Sequence, residues 1–257
     1  MEKNGEEWEN ILLQAIMNGF VKEEKRKDIP PVVIVGLGLP RFFREKLVGF
    51  LRKTREVGKF HVGKYHDTDL AVVFQGVGSV DAEITTRVLA GIGVRTVIGV
   101  GLVGGLQANI DIGSIILPTH ALRGEATTSY YASKDFKAVP SPLVQAALER
   151  AVGSKTVLHE GKIFTTPVMI KEDNDLISRL SGEGVLGIEC ECSTMFVVSK
   201  LHGVEAGAGL LVTDKPVEKL VWSSPQVGER IAKGFPILAE AAFEAARSLT
   251  NKPEVSS

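Results

Sequence analysis

The stretch Gly187–Ser193, with the sequence GIECECS, joins an apolar run to a run with helical character. Its two acids, Glu189 and Glu191, therefore stand between two segments with the composition of a protein core. Burying a carboxylate is costly unless a partner satisfies it. A second apolar run, residues 207–213, ends in another acid, Asp214. Because ligand sites of open α/β sheets lie at the carboxyl ends of strands, these three acids mark the first place to look for chemistry.

Further towards the N-terminus, apolar runs are followed by glycine-rich turns and then by helical patterns. The turns are Gly36–Arg41, Gly76–Ser79 and Gly101–Leu106. Repeated strand–turn–helix units are typical of a mostly parallel sheet. Glycines let backbone N–H groups approach an anion, so the first turn is either an anion cradle or a plain turn between strand and helix. It is not a dinucleotide fingerprint, because no third glycine opens the helix.

Hydrophobic periodicity predicts the remaining elements. Helices are predicted over Glu6–Phe20, Phe42–Arg52, Val80–Ala90 with Ser79 as its N-cap, Pro140–Ala151, Lys171–Leu180 and Pro225–Leu249. Strands are predicted over Pro31–Val35, Leu70–Phe74, Thr96–Val100, Ser114–Pro118 and Lys155–Phe164. The charged run Val21–Asp28 has the composition of a solvated connector, and the polar stretch Arg123–Tyr131 is either an ordinary loop or one that faces substrate.

Length and charge exclude several classes of protein. A chain of 257 residues fits one α/β domain better than two. A net charge of −1 leaves no basic surplus for nucleic acid or an anionic membrane. No apolar run approaches the roughly 20 residues needed to span a bilayer, and the polar, acidic N-terminus is unlike a secretory signal. The cysteines, Cys190 and Cys192, are too close for an ordinary disulfide and have no histidine nearby, so we expect no metal and a reducing, cytoplasmic setting.

Taken in order, the motifs resemble the nucleoside phosphorylase I family, which includes hexameric purine nucleoside and uridine phosphorylases. The matching pieces are Val33–Gly36, Gly76–Gly78, Gly101–Leu106, Asp111–Ile115, Arg123 with Thr127, Thr128 and Tyr130, Gly161–Ile163, Gly187–Glu191 and Val212–Asp214. The residues around Cys192 resemble archaeal members most. The resemblance implies a single three-layer α/β domain over residues 29–250, with a central mixed, mostly parallel sheet flanked by helices. An N-terminal helix and connector (1–28) precede it, and a flexible tail (251–257) follows.

The family resemblance implies phosphorolysis, in which phosphate attacks the anomeric carbon of a nucleoside and the N-glycosidic bond breaks. Glu191 matches the glutamate that holds the ribose hydroxyls, and its charge would face the developing sugar cation. Cys190 matches a position, usually methionine, that packs on the sugar. Asp214 matches the aspartate that donates a proton to a purine, although it could instead only cap the next turn. Glu189 is expected to be structural, and inorganic phosphate is the expected co-substrate, with no cofactor.

The phosphate site departs from the family pattern. Where the family has an arginine and a hydroxyl residue, this chain has Gly99 and Leu102. A buried phosphate without a guanidinium partner would be strongly disfavoured. The candidate phosphate residues are therefore Gly36, Arg41, Arg123 and Arg55, the last lying close to an arginine that the family supplies across a dimer interface. Phe164 and Met169 are the candidate residues for the base.

These departures keep alternative functions open. One is a nucleosidase, which uses water, although Glu45 lies too deep in its helix to activate that water. Another is a protein that binds nucleosides without turnover. The family also implies self-association, with a dimer-based homohexamer as the expected assembly. Helix Trp8–Phe20 and Trp222 are candidate interface pieces, with packing on the parent core as the alternative.

Overall fold

The computed structural model of the chain describes residues 2–221, 223 and 225–250. Its helices are α1 (Glu2–Phe20), α2 (Arg41–Val48), α3 (Ser79–Gly91), α4 (Pro142–Val152), α5 (Asn174–Gly182), α6 (Cys192–Leu201) and α7 (Pro225–Thr250). Its strands are β1 (Val32–Gly36), β2 (Arg52–Val57), β3 (Phe60–Tyr65), β4 (Thr68–Phe74), β5 (Thr96–Gly105), β6 (Ile115–Arg123), β7 (Leu158–Thr165), β8 (Gly187–Glu189) and β9 (Glu205–Asp214). Short 3-10 helices cover Glu23–Asp28, Thr127–Tyr130 and Pro216–Glu218. The predicted helices and strands are all found, with shifted ends.

The strands form one mixed sheet in the order β2-β3-β4-β1-β5-β8-β7-β6-β9, with β5 also paired to β9. The glycine-ended strands β1, β4 and β5 pair in parallel, as predicted. The pairings from β5 through β8, β7, β6 and β9 return to β5 and so close a ring of strands. Strand β5 can pair with both neighbours because its register shifts between Val103 and Gly104, after which it meets β8. This closure brings the ends of β5, β8 and β9 to one place.

Helices cover both faces of the sheet. Strand β9 is buried on both sides, and α4 and α7 pack on one face while α6 packs on the other. The approach of α7 is close enough that a Cβ added at Gly209 would lie 2.6 Å from Leu238 Cδ1. Helix α1 packs on α3, through buried residues such as Met17. The predicted α/β domain with helices flanking a mixed sheet is therefore confirmed.

Three local predictions are wrong. The glycine run Gly101–Leu106, predicted as a turn between a strand and a helix, instead extends β5 to Gly105, and the chain reaches β6 with no helix between them. Helix α2 ends at Val48 instead of Arg52, and the chain then forms the unpredicted hairpin of β2 and β3. Strand β2 is charged and almost wholly exposed, so its sequence lacks the alternation that marks a strand. Ser79 is the first residue of α3 rather than its N-cap, a position that Gly78 occupies with φ 102°. An N-cap residue with that backbone angle favours glycine over serine.

The structure describes the N-terminal helix and connector, whereas the predicted C-terminal tail lies outside the described residues. Trp8 is 63% exposed on α1 while Phe20 is buried, so only the C-terminal part of the helix joins the core. Of the predicted solvated connector Val21–Asp28, Glu23–Asp28 contributes no buried residue, whereas Val21 is buried in the core, contrary to the prediction. Trp222 and the predicted tail 251–257 lie outside the described residues.

Candidate active site

Three turns meet at the carboxyl edge of the sheet. The backbone N–H of Gly78, in the turn after β4, donates a hydrogen bond of 2.6 Å to Glu191 Oε1. Gly38, in the turn after β1, also lies close to that carboxylate, since a Cβ built on it would be 3.4 Å from the same oxygen. The same Cβ would lie 3.1 Å from Val77 Cγ2. Glu191 therefore faces two glycine turns that are distant in sequence.

The two acids of the opening stretch have different environments. Glu189 accepts hydrogen bonds of 2.7 Å from the backbone N–H groups of Glu191 and Cys192, and one from the hydroxyl of Thr165. A carboxylate at that place caps the N-terminus of α6, where the helix dipole favours negative charge. Burial raises the pKa of Glu191 to about 8, and the charge of Glu189 contributes to the shift. The carboxylate of Glu189 is therefore occupied by hydrogen bonds from the protein, whereas Glu191 retains an oxygen that can bind a ligand.

A buried chain of hydrogen bonds supports this turn from below. Ser193 donates to the carboxylate of Glu125 over 2.9 Å. That carboxylate also accepts from the backbone N–H and the hydroxyl of Thr128. Thr128 in turn accepts from Arg123 Nε at 2.7 Å. The polar stretch after β6, which the sequence left open as an ordinary or a substrate-facing loop, is thus tied to the first turn of α6.

Asp214 lies at the end of β9, above β5 and beside β8. A Cβ on Gly104 would be 2.9 Å from Asp214 Oδ2 and 3.2 Å from Ile188 Cγ2. Thr213 donates a hydrogen bond of 2.9 Å to the other carboxylate oxygen. Burial raises the pKa of Asp214, and the Thr213 hydrogen bond opposes this shift. The half-buried carboxyl is thus biased towards its protonated form.

Of the two base-side candidates, Phe164 lies in β7 and Met169 lies in the loop between β7 and α5. Phe164 packs against the small apolar cluster that contains Ile188, whereas Met169 is 54% exposed. A Cβ on Gly124 would lie 2.1 Å from Phe164 Cζ, so the ring position depends on that glycine. Cys190 is buried, and burial raises the pKa of its thiol well above its ordinary value, which keeps it neutral. These placements fit an apolar wall beside the carboxylates.

The part of β5 that departs from the family pattern, residues 99–102, packs against a leucine. A Cβ on Gly99 would lie 2.9 Å from Leu37 Cδ1 and 3.0 Å from Met195 Cε. A Cβ on Gly101 would lie 3.3 Å from the same leucine. There is accordingly no room for an arginine side chain at position 99. Gly36 itself is covered by the ring of Phe74, 2.5 Å from where a Cβ would be.

The predicted phosphate arginines have other partners in the described chain. Arg41 is exposed and bonds Glu45 at 2.7 Å, and Arg55 lies on the edge strand β2, 3.6 Å from Asp28. Arg123 donates to the carbonyls of residues 132, 133 and 136 as well as to Thr128, and so anchors the loop. Arg44 is half-buried instead, with Nε 2.5 Å from the carbonyl of Leu39 in the first turn. Its guanidinium lies 5.5 Å from the Phe74 ring.

A comparison with models of known families shows which family the chain belongs to. A family model described as the phosphorylase superfamily matches residues 32–244. The chain belongs to this superfamily. Membership confirms the resemblance read from the ordered motifs, and the matched range contains the three acids and both glycine turns that face Glu191.

Individual relatives cover the chain in part. The guanosine phosphorylase of Halorubrum lacusprofundi is 30% identical over 148 residues, which are 56% of this chain and 60% of that protein. The uridine phosphorylase of Thermococcus kodakarensis is 29% identical over 161 residues, 57% and 58% of the two chains. The chain thus spans less than two thirds of the length of these relatives. The uridine phosphorylase structure from Vibrio fischeri ES114 has a TM-score of 0.77 at 21% identity, over 87% of this chain and 94% of that one, which shows a common fold.

Two absences belong to the described residues alone. They contain no group of three or more His, Cys, Asp and Glu side chains placed to hold a metal ion. None of their helices is long and apolar enough to cross a bilayer.

Sequence reasoning missed residues that the fold brings to the site. Glu172, in the loop after β7, is half-buried, and burial together with the charge of Asp214 raises its pKa to about 7. It stands in the run KEDND, where nothing distinguishes it from solvated neighbours. Glu125 could not be recognised from the sequence either, because it is one of several polar residues in the stretch Arg123–Tyr131. The apolar character of Leu37 was visible, but its contact with Gly99 joins two strands far apart in sequence.

Proposed function

We propose that the protein cleaves the N-glycosidic bond of a nucleoside, a purine nucleoside or uridine, by phosphorolysis to the free base and ribose 1-phosphate. The observation that carries the proposal is the buried carboxylate of Glu191, held between the two glycine turns, with Asp214 at the neighbouring strand end. In its ionised form, which prevails above its raised pKa of about 8, Glu191 can accept from two vicinal hydroxyls and stabilise a cation that develops beside them. Relatives named guanosine, uridine and purine nucleoside phosphorylases support the reaction class and leave the base open.

The residues have separate roles in this reaction. Glu191 would hold the ribose hydroxyls, with Cys190 as a small apolar contact to the sugar. Asp214 would protonate the leaving purine, which its raised pKa favours. Phe164 and Met169 would contact the base. Glu189 would stabilise the N-terminus of α6, next to the ribose-binding Glu191.

The identity of the nucleophile depends on whether a guanidinium lies at the Gly36 turn. Phosphate would bind at the Gly36 turn and needs a guanidinium, for which Arg41, Arg55 and Arg123 are the sequence candidates. Arg44 adds a half-buried guanidinium next to the same turn. Arg55, exposed on an edge strand, would reach a site only in a neighbouring copy. A second candidate function, hydrolysis by water, is favoured by the leucine that covers Gly99.

Base release measured with and without phosphate tests both functions. The purified protein is incubated with inosine, guanosine, adenosine and uridine, and free base is separated by chromatography. Release that requires phosphate supports phosphorolysis, and equal release without phosphate replaces it by hydrolysis. No release, together with a rise of the melting temperature on adding a nucleoside, would reduce the protein to a nucleoside binder.

Arginine variants identify the phosphate residue. Arg41→Ala, Arg44→Ala and Arg55→Ala are compared with Arg179→Ala, which removes another exposed arginine, paired with Glu183 at the same helical spacing as the Arg41 pair. A rise in KM for phosphate, with KM for the nucleoside unchanged, marks the guanidinium that binds phosphate. Arg123→Ala is not diagnostic, because it also frees the loop.

We also propose a homo-oligomer, a dimer-based hexamer, working in the cytoplasm in nucleoside salvage without a cofactor other than phosphate. Support comes from the exposed Trp8 and Ile11 of α1, which leave an apolar face unused by the core of one chain. The free, buried cysteines fit a reducing compartment. Sedimentation of the purified protein tests the assembly.

A further inference from the structure

Gln75 follows β4 and lies between the two glycine turns of the site. Its backbone N–H donates a hydrogen bond of 3.2 Å to the carbonyl of Gly36, so it continues the pairing of β4 with β1 by one residue. Three residues further on, the N–H of Gly78 donates to the carboxylate of Glu191. Because three residues span at most about 11 Å, Gln75 belongs to the same small region as the Gly36 turn and the Glu191 carboxylate.

The side chain of Gln75 is buried without a partner. It is 5% exposed, and its amide nitrogen is one of five buried side-chain polar atoms that have no hydrogen-bond partner in the described chain. Proteins bond nearly all such groups, because an unpaired buried donor lowers stability. The half-buried amides of Gln107 and Gln145, by contrast, both donate to backbone carbonyls. The Gln75 amide is therefore a donor whose partner the described chain does not supply.

The alternation of side chains along the strand separates Gln75 from Phe74. The ring of Phe74 covers Gly36, 2.5 Å from where a Cβ on that glycine would be. Successive side chains of an extended chain point to opposite faces, so Gln75 lies on the other face. That face carries Leu37, which packs against the Cβ position of Gly99 at 2.9 Å. The amide thus lies on the face where a leucine, and not a cation, fills the space beside the Gly36 turn.

The chemistry around the amide indicates which ligand atom it can meet. The amide and the backbone N–H groups of the glycine turns offer hydrogens, whereas the carboxylate of Glu191 offers only oxygens. A ribose hydroxyl can donate to that carboxylate, but a phosphate dianion can only accept. A Cβ on Gly76 would collide with the carboxylate of Asp81, which adds negative charge close to the turn. A neutral amide therefore suits a phosphate oxygen as a donor, but it does not neutralise the anion.

We propose that the amide nitrogen of Gln75 donates a hydrogen bond to an oxygen of the phosphate co-substrate and so positions it at the Gly36 turn. This inference rests on the proposed function and adds a binding residue to it. The donor that lacks a partner in the free protein gains one when phosphate binds. The amide acts together with the guanidinium that the anion still requires, because only the guanidinium carries the compensating charge.

Two variants of Gln75 test this contact in the phosphate-dependent release of base. Gln75→Met keeps the length of the side chain and removes the donor. It should raise KM for phosphate about tenfold or more, as expected for the loss of a hydrogen bond to a charged group. KM for the nucleoside should stay within about twofold of the wild type, because the sugar contacts remain. Gln75→Glu has the same size but adds a negative charge, and it should raise KM for phosphate further.

Thermal melting separates a binding role from a structural one. Gln75→Met removes an unpaired buried polar atom, so without ligand it should melt at the wild-type temperature or higher. Phosphate should raise the melting temperature of this variant less than that of the wild type. Gln145→Met is the matched control, because its amide donates to the carbonyl of Pro118 and accepts from the N–H of Ala208. It should melt at a lower temperature and keep the wild-type KM for phosphate.

Three results would overturn the inference. They are an unchanged KM for phosphate in Gln75→Met, a rise in KM for the nucleoside alone, which would place the amide on the sugar, and a lower melting temperature of the ligand-free variant, which would show that the amide has a structural partner. If the wild type releases base equally well without phosphate, the proposed function fails. A wild type that requires phosphate, with an unaffected Gln75→Met, defeats the assignment of Gln75 alone.

A readout without turnover uses inorganic phosphate as the only ligand. Side-chain ¹⁵N NMR of the wild type should show the Gln75 amide signal shifting as phosphate is added, with the signal assigned by its loss in Gln75→Met. The signal of Gln145 should stay in place. A Gln75 signal that does not move while phosphate raises the melting temperature would contradict the contact, whether or not any nucleoside is cleaved.

Discussion

Two buried serines on α6 test the hydrogen-bond chain beneath the site. Ser193 is fully buried and donates to the carboxylate of Glu125 at 2.9 Å. Ser199, six residues on, is 1% exposed, and its buried hydroxyl has no partner in the described chain. Replacing each by alanine removes the same atom from the same helix. The two variants should nevertheless differ in stability, with Ser193→Ala the less stable of the two.

The magnitudes follow from what each hydroxyl does. Ser193→Ala leaves the buried Glu125 carboxylate without one of its donors, and a hydrogen bond to a charged group contributes about 1.5–3 kcal/mol. Ser199→Ala removes an unsatisfied polar atom. It also replaces serine by alanine in a helix interior, where alanine is more favourable than serine by about 0.5 kcal/mol. We therefore expect Ser193→Ala to destabilise by about 2 kcal/mol and Ser199→Ala to be neutral or stabilising by up to about 1 kcal/mol.

Urea unfolding of the ligand-free protein, followed by circular dichroism, measures both free energies by linear extrapolation. Equal m values in the three proteins establish that the comparison concerns the folded state. If the two variants lose the same free energy of unfolding to within about 0.5 kcal/mol, the reasoning is refuted. A difference that small is no larger than the usual effect of a surface substitution. Unfolding at several protein concentrations controls for dissociation of an oligomer.

Further predictions concern packing, pH and catalysis. Gly124→Ala drives a methyl group into Phe164 and should cost about 1–3 kcal/mol of unfolding free energy; an unchanged urea midpoint would contradict the close contact. Because the pKa of Glu191 is raised from 4.5 to about 8, the native state holds a proton that the unfolded chain releases, so stability falls as pH rises between those values. Glu191→Gln lacks this fall and should gain on the wild type from pH 5 to pH 8 in thermal melts, whereas parallel curves would exclude the shift. Asp214→Asn should lower kcat for inosine by about 100-fold or more with little change in KM, as expected for loss of a general acid; equal losses in both constants would indicate a binding role.

Much of the fold could be predicted from local pattern. Runs of apolar residues broken by glycine predicted β1, β4 and β5 and their parallel pairing, because a strand buried on both faces is apolar along its length. The acids at the ends of such runs stood out for the same reason, and Glu191 and Asp214 do lie at one edge of the sheet. The hairpin of β2 and β3 was missed because an exposed edge strand carries no such pattern.

The sequence by itself determined which acidic residues stand in apolar surroundings. Glu189, Glu191 and Asp214 lie in or at the ends of apolar runs, so the sequence predicts that they are buried and belong to a functional site. Only the tertiary structure decided what each of them faces. The leucine over Gly99 and the glycine turns that face Glu191 come from segments far apart in the chain. Their proximity depends on the closed ring of strands and on side-chain packing, which local periodicity does not encode.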